Sequence, residues 1–329
     1  MEKTPNTLNI QPGALHPSWL KPETILFATE LPANEKAFGY ALAQAAEFGA
    51  TLVLFHVYDT LVVSSSEHSG IRYFDYAAAA RAEMRHLEPL AARAQQMGVS
   101  CEVVVRPGLP ADQILAFLRE RTIDRVVMGT HSPGPIGKLL VGSVAEAVLR
   151  CAHLPVFIVG PEAVEGNYRN FAIRTILCAV SLHDPSPILV GFASQLAAQH
   201  SARLILQHVL KTQERAEVLA GRSIQEVESD LLRMVPLELM DKISVEAIVV
   251  PGEAAEELLY QSKAQQADLI VLGAQGASAF AALARQGVVY KVLAHAHCPV
   301  LTLSPVVLEA GGAKAEKARQ ADVLPAVIF

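Results

Sequence analysis

From Thr24 onward the chain alternates between two hydrophobic patterns. Short, continuous apolar runs such as TILFAT (Thr24–Thr29) and TLVLFHV (51–57) are too apolar for half-exposed strands and predict strands buried on both faces. Between them, Glu35–Phe48 spaces Phe38, Leu42, Ala45 and Ala46 at helical intervals and is followed by Gly49, a helix-stop residue. The alternation continues with a long Ala-rich helix over 73–97, kinked or broken near Pro89, and a strand over 99–105. A helix at 111–121, a strand at 123–128, a Gly/Pro loop at 129–137, a helix at Ser143–Cys151 and a strand at 155–159 complete the unit.

The pattern then repeats. Val104-Val105-Arg106-Pro107-Gly108 is echoed by Ile248-Val249-Val250-Pro251-Gly252, and the run Asp124 to Gly129 by the run Asp268 to Gly273. The offset is constant: 251 − 107 = 144, 273 − 129 = 144, and 299 − 155 = 144. A repeat of this length is a whole domain, so the chain is one domain fused to its diverged copy. The second set of strands falls at 175–180, 203–209, 243–250, 269–272 and Val300–Leu303. The predicted organisation is a flexible arm over 1–22, a first domain at 23–160, a linker at 161–172, a second domain at 173–305 and a tail at 306–329. Strand–helix alternation with buried strands predicts two α/β domains, each a five-stranded parallel sheet with helices on both faces. Ligands of such sheets sit beyond the carboxyl ends of the strands, which directs attention to Ala28-Thr29-Glu30 and Met128-Gly129.

Composition narrows the function classes. Hydrophobic residues make up 51% of 329, enough for a core in each domain, and no apolar run reaches the ~18–20 residues of a membrane span. The net charge of −6 argues against a nucleic-acid-backbone partner, which calls for a basic face. The first 22 residues hold four prolines and no apolar core, unlike a signal peptide or anchor. Of the four cysteines none forms a C-x-x-C pair; Cys101 and Cys178 lie in apolar runs and read as small buried hydrophobes, in keeping with a reducing cytoplasm.

The residues Gly129-Thr130-His131-Ser132-Pro133-Gly134-Pro135-Ile136-Gly137-Lys138-Leu139-Leu140-Val141-Gly142-Ser143-Val144 carry the candidate chemistry. A strand ends at a glycine, a loop of small residues follows, and Gly-Ser opens a helix. Free N–H groups at that helix start, together with the helix dipole, favour an anion, and the Ser143 hydroxyl is placed to cap the helix. On these residues the chain resembles a tandem universal stress protein. That family's phosphate motif is Gly, two residues, Gly, nine residues, then Gly and Ser or Thr. Here Gly129 leads, Ser132 stands at the second Gly, and Gly142-Ser143 closes. The first strand, ending at Glu30 where the family has Asp, the His56-Val57 strand end, and Ser143 to Arg150 before Pro155-Val156 are also family-like.

The resemblance implies flavodoxin-like or HUP-type domains that pair through their last strands, an intramolecular pseudo-dimer in this chain, with homodimerisation and a protein partner left open. It also implies ATP, or AMP or ADP, as ligand, with or without Mg, in the first domain. Glu30 and Val57 would hold the adenosine end and Gly129, Ser132, Gly142 and Ser143 the phosphates, with Ala28, Thr29, Met128, His131 and Val144 also in the site. In the second copy Ser181 stands at Glu30, Gln286-Gly287 at Gly142-Ser143, and Ala282 at Lys138, so that copy reads as a structural partner. His153, His295 and His297-Cys298 allow a metal reading, but their loop context and missing carboxylate favour plain loop residues. His56 and His208 end equivalent strands, which points to a shared structural role. No nucleophile–base pair is visible, so turnover beyond slow ATP hydrolysis is not expected; an interaction protein with an empty cradle is the alternative.

Overall fold

The computed structural model describes residues 16–58, 76–130, 142–164, 172–182, 186–210, 221–273, 287–304 and 307. The first domain runs β1 (Thr24–Thr29), α2 (Glu35–Phe48), β2 (Thr51–Tyr58), α3 (Tyr76–Gln96), β3 (Cys101–Pro107), α4 (Pro110–Glu120), β4 (Arg125–Gly129), α5 (Ser143–Cys151) and β5 (Val156–Val159), preceded by a short α1 (Pro17–Leu20). The second runs β6 (Thr175–Ala179), α6 (Ser186–His200), β7 (Arg203–Leu210), α7 (Ile224–Leu232), α8 (Leu237–Met240), β8 (Val245–Pro251), α9 (Ala254–Ala264), β9 (Leu269–Gly273), α10 (Val288–His295) and β10 (Val300–Leu303).

Each domain is a parallel five-stranded unit, and the two units form one ten-stranded sheet in the order β3-β2-β1-β4-β5-β10-β9-β6-β7-β8. The join is the antiparallel pairing of β5 with β10, with Val300 opposite Ile158 and Thr302 opposite Val156. The Thr302 hydroxyl adds a 3.2 Å bond to the Val156 carbonyl across the seam. Within each half the direction of strand order switches between the first and fourth strands, the position where α/β sheets open a ligand crevice.

Repeated residues hold equivalent places. Asp124 Oδ2 accepts the backbone N–H groups of Glu23 and Thr24, at 2.9 and 3.0 Å. Asp268, 144 positions later, does the same for Arg174 and Thr175, at 2.8 and 2.9 Å. Each carboxylate thereby fixes where the first strand of its domain begins. At the other end of the sheet, His56 Nδ1 donates to the Thr29 carbonyl and His208 Nδ1 to that of Val180, so the structural role of both histidines holds.

Three sequence expectations change. The arm over 1–22 is not flexible throughout: Pro17–Leu20 form a helical turn and Trp19 is 1% exposed. Its anchor is the buried Arg125, which donates to the Trp19 carbonyl at 2.8 Å and to Gln44 Oε1 at 2.6 Å. Burial draws the Arg125 guanidinium down to about 10, opposed by Glu47 and Asp124, so it stays charged at neutral pH and needs those acceptors. Residues 1–15 and the tail beyond 307 lie outside the described residues. Second, α3 is not broken at Pro89 but continues to Gln96, with Pro89 on its exposed face. Third, Cys101 is only half-buried because β3 is an edge strand, although burial still pushes its thiol up to about 11; Cys178 is fully buried as expected.

Replacing Asp124 with Ala leaves two backbone donors at the start of β1 without their acceptor. Urea denaturation should show a loss of about 1–3 kcal/mol, with a similar loss for Asp268→Ala; a change below about 0.5 kcal/mol in both, the range of ordinary surface substitutions, would remove these carboxylates from the scaffold.

Candidate functional site

A cavity of about 350 Å³ opens at the carboxyl ends of β1, β2 and β4. Ala28, Thr29 and Glu30 from the end of β1 and Val57 from β2 line one side; Met128 and Gly129 from β4, then Gly142, Ser143 and Val144 at the start of α5, line the other. The structure thus brings together nine of the residues nominated from sequence. His131 and Ser132, with Lys138, lie outside the described residues. The start of α5 presents backbone donors to the cavity, as the first turn of any helix has no intrahelical partners for its N–H groups.

Ser143 does not cap this helix. Gly142 is the N-cap and makes no side-chain bond, so Ser143 is the first helical residue and keeps an exposed hydroxyl at the cavity. Glu30 is likewise exposed, at the β1 end that the Thr29–His56 hydrogen bond ties to β2.

Five lining residues escaped the sequence reading: Asn34, Phe55, Pro110, Ile114 and Ala145. Phe55 stands two residues before Val57 and so points to the same side of β2, where its ring meets Phe117 of α4 at 4.7 Å. Asn34 precedes the apolar-periodic helix, as N-caps do, and its Oδ1 accepts the Ala37 N–H at 3.0 Å. It also explains a glycine. A Cβ at Gly129 would sit 2.7 Å from Asn34 Cγ and 2.9 Å from its Cβ, so Gly129 is required by the close approach of α2 rather than by its own dihedral angles.

The second domain keeps the frame and changes the chemistry. Strand register places Gln207 where Phe55 stands, since Ala28 pairs with Phe55 and Ala179 with Gln207. Gln207 is 1% exposed, and among the described residues its carboxamide has no hydrogen-bond partner, so a polar group stands where the first domain has a phenyl ring. The body of α10 keeps the 144-residue offset from α5, but the helix starts at Val288, and Gly287, at the place of Ser143, becomes the cap. The hydroxyl and the carboxylate of the first domain thus have Gly287 and Ser181 in their places. Of the histidines considered for a metal, His295 bonds Glu162 at 2.7 Å and His297 approaches Ser262 at 3.5 Å. Among the described residues no cluster of His, Cys, Asp and Glu is arranged to hold a metal ion.

Comparison with known families settles the lineage. The pattern of the universal stress protein family matches residues 22–160 and again 172–304. The chain belongs to the universal stress protein family. It is 38% identical over 66 residues to universal stress protein MJ0531 of Methanocaldococcus jannaschii, a match covering 20% of this chain and 39% of that protein's length. It is 30% identical over 133 residues to universal stress protein YxiE of Bacillus subtilis, covering 38% of this chain and 90% of the relative. The crystal structure of a universal stress protein from Archaeoglobus fulgidus shares the fold over 87% of this chain and 97% of its own, with a TM-score of 0.64 at 16% identity. This universal stress protein is therefore a tandem of two domains of the family, with the described cavity in the first.

In Gly129→Ala the new methyl group collides with Asn34 and must displace the α2 cap. The expected cost is about 1–3 kcal/mol of unfolding free energy by urea denaturation, typical of overpacking; a neutral result would show that Asn34 moves aside freely.

Proposed function

We propose that this universal stress protein binds ATP, or another adenine nucleotide, in the first-domain cavity and acts as a cytoplasmic regulatory protein of the stress response. The observation that carries this reading is the convergence of nine residues, nominated from the family motif and the strand ends, on one cavity of about 350 Å³. The volume falls within the range typical of small-molecule sites. Its two sides differ as an adenine nucleotide requires. Apolar Ala28, Val57 and Phe55 with the Glu30 carboxylate suit a base and ribose, and the α5 N-terminus with Ser143 suits phosphates. No helix among the described residues is long and apolar enough to cross a membrane.

The second domain, with Ser181, Gly287 and Gln207 at the corresponding places, serves as the structural partner. Bound nucleotide then regulates by favouring whichever conformation or partner surface it binds more tightly. Hydrolysis has no evident general base among the described lining residues other than the exposed Glu30, and is at most slow.

The test is Gly142→Asp, which puts a carboxylate at the α5 N-cap where phosphates would bind. Aspartate is itself a good N-cap, so the fold should persist. ATP should raise the melting temperature of the wild type and leave that of the variant unchanged. Equal shifts in both proteins would show that ATP binds elsewhere, and no shift in either would remove nucleotide binding.

A further inference from the structure

We propose that Asn34, which the family motif does not include, is a further ligand-binding residue of the first-domain cavity, donating from its side-chain NH₂ to an oxygen of the sugar–phosphate portion of the ligand. The inference rests on the nucleotide reading above. A side-chain amide has one acceptor and two donors, and at typical sites either end can face a ligand. At Asn34 the choice is fixed by the fold. The oxygen is committed to helix α2, where it accepts the Ala37 N–H at 3.0 Å. Only the NH₂ end remains, and Asn34 is half-buried in the cavity wall with that end turned onto Gly129 at the end of β4.

The location decides the kind of group it meets. Asn34, Gly129, Gly142 and Ser143 line one cavity, so the Asn34 donors open into the same space as the α5 N-terminus. A ligand placed with its anionic end on α5 presents acceptor oxygens there, and a fixed donor needs no reorganisation to meet one. The sequence of the second domain is consistent with this role. The offset from α2 to α6 is 186 − 35 = 151, and 34 + 151 = 185 gives Pro185, which has no side-chain donor. That domain therefore differs at Asn34 as it does at Glu30 and Ser143.

The experiment uses the full chain with AMP and adenosine as calorimetric titrants against wild type, Asn34→Asp and Asn34→Ser. Asp and Ser cap a helix about as well as Asn, so ligand-free melting should be unchanged and serves as the control for folding. Neither carries an NH₂ group. The expected result is AMP binding weakened about ten-fold in Asn34→Asp, and less but measurably in Asn34→Ser, as loss of a hydrogen bond to a ligand oxygen requires. A parallel loss with adenosine assigns the contact to a sugar oxygen, and a loss with AMP alone in both variants assigns it to phosphate. A loss confined to AMP with Asn34→Asp, with Asn34→Ser unaffected, would be charge repulsion and would overturn the proposal, as would unchanged affinities throughout; the nucleotide reading would survive both. Wild-type protein that binds neither titrant would overturn the nucleotide reading and the role of Asn34 with it.

Discussion

The antiparallel contact between β5 and β10 is the constraint on which the architecture depends. Both strands are buried along their whole length, VFIV and VLTL. Separated, each domain would end in an apolar parallel sheet edge with unpaired backbone groups, a template for aggregation. Fused in one chain, the two edges satisfy each other. The pairing also fixes where function can lie. Because the domains meet through antiparallel strands, their parallel strands run in opposite directions, and the carboxyl ends of the two halves open on opposite edges of the sheet. The first-domain cavity is therefore completed by its own domain and not by the diverged copy.

Around this seam residues 161–164, which follow β5, are held by both domains. Lys36 and Tyr40 of α2 donate to the carbonyls of Pro161 and Val164, at 2.9 and 3.0 Å, and the Val164 N–H bonds the His297 carbonyl of the second domain at 2.8 Å. Burial pushes the Tyr40 phenol up to about 12, so it remains a neutral donor. On the opposite end of α2, Glu47 meets His200 of α6 at 3.1 Å, and Trp19 covers Arg125 nearby. Helix α2 thus touches the cavity through Asn34, the linker through Lys36 and Tyr40, and the second domain through Glu47. A helix so tied is a rigid wall for a ligand site, in which a glycine such as Gly129 is held against Asn34 with no room for a methyl group.

Much of this was legible in the chain because it depends on local patterns or on the repeat. Continuous apolar runs gave the strands to within about two residues, the usual uncertainty of element ends. The Asp124 and Asp268 echo marked a shared role that proved to be strand anchoring. The Gly142-Ser143 helix start and the strand ends at Glu30 and Gly129 supplied most of the cavity wall. What escaped depends on partners distant in sequence. Trp19 looked like part of a proline-rich arm because its anchor, Arg125, is 106 residues away. Asn34 escaped because nothing local shows that it faces Gly129, 95 positions later. In the second domain Gly287 takes the cap that Gly142 holds in α5, so α10 starts one residue later than the 144-residue offset alone would place it.

The central claim is one nucleotide site per chain, in the first domain. The most direct measurement is to denature freshly purified protein and identify and quantify the released nucleotide by chromatography and mass. About one adenine nucleotide per chain is the predicted result. About two would contradict the assignment of the second domain as a structural partner, and none, together with no thermal shift on adding ATP, would contradict nucleotide binding itself.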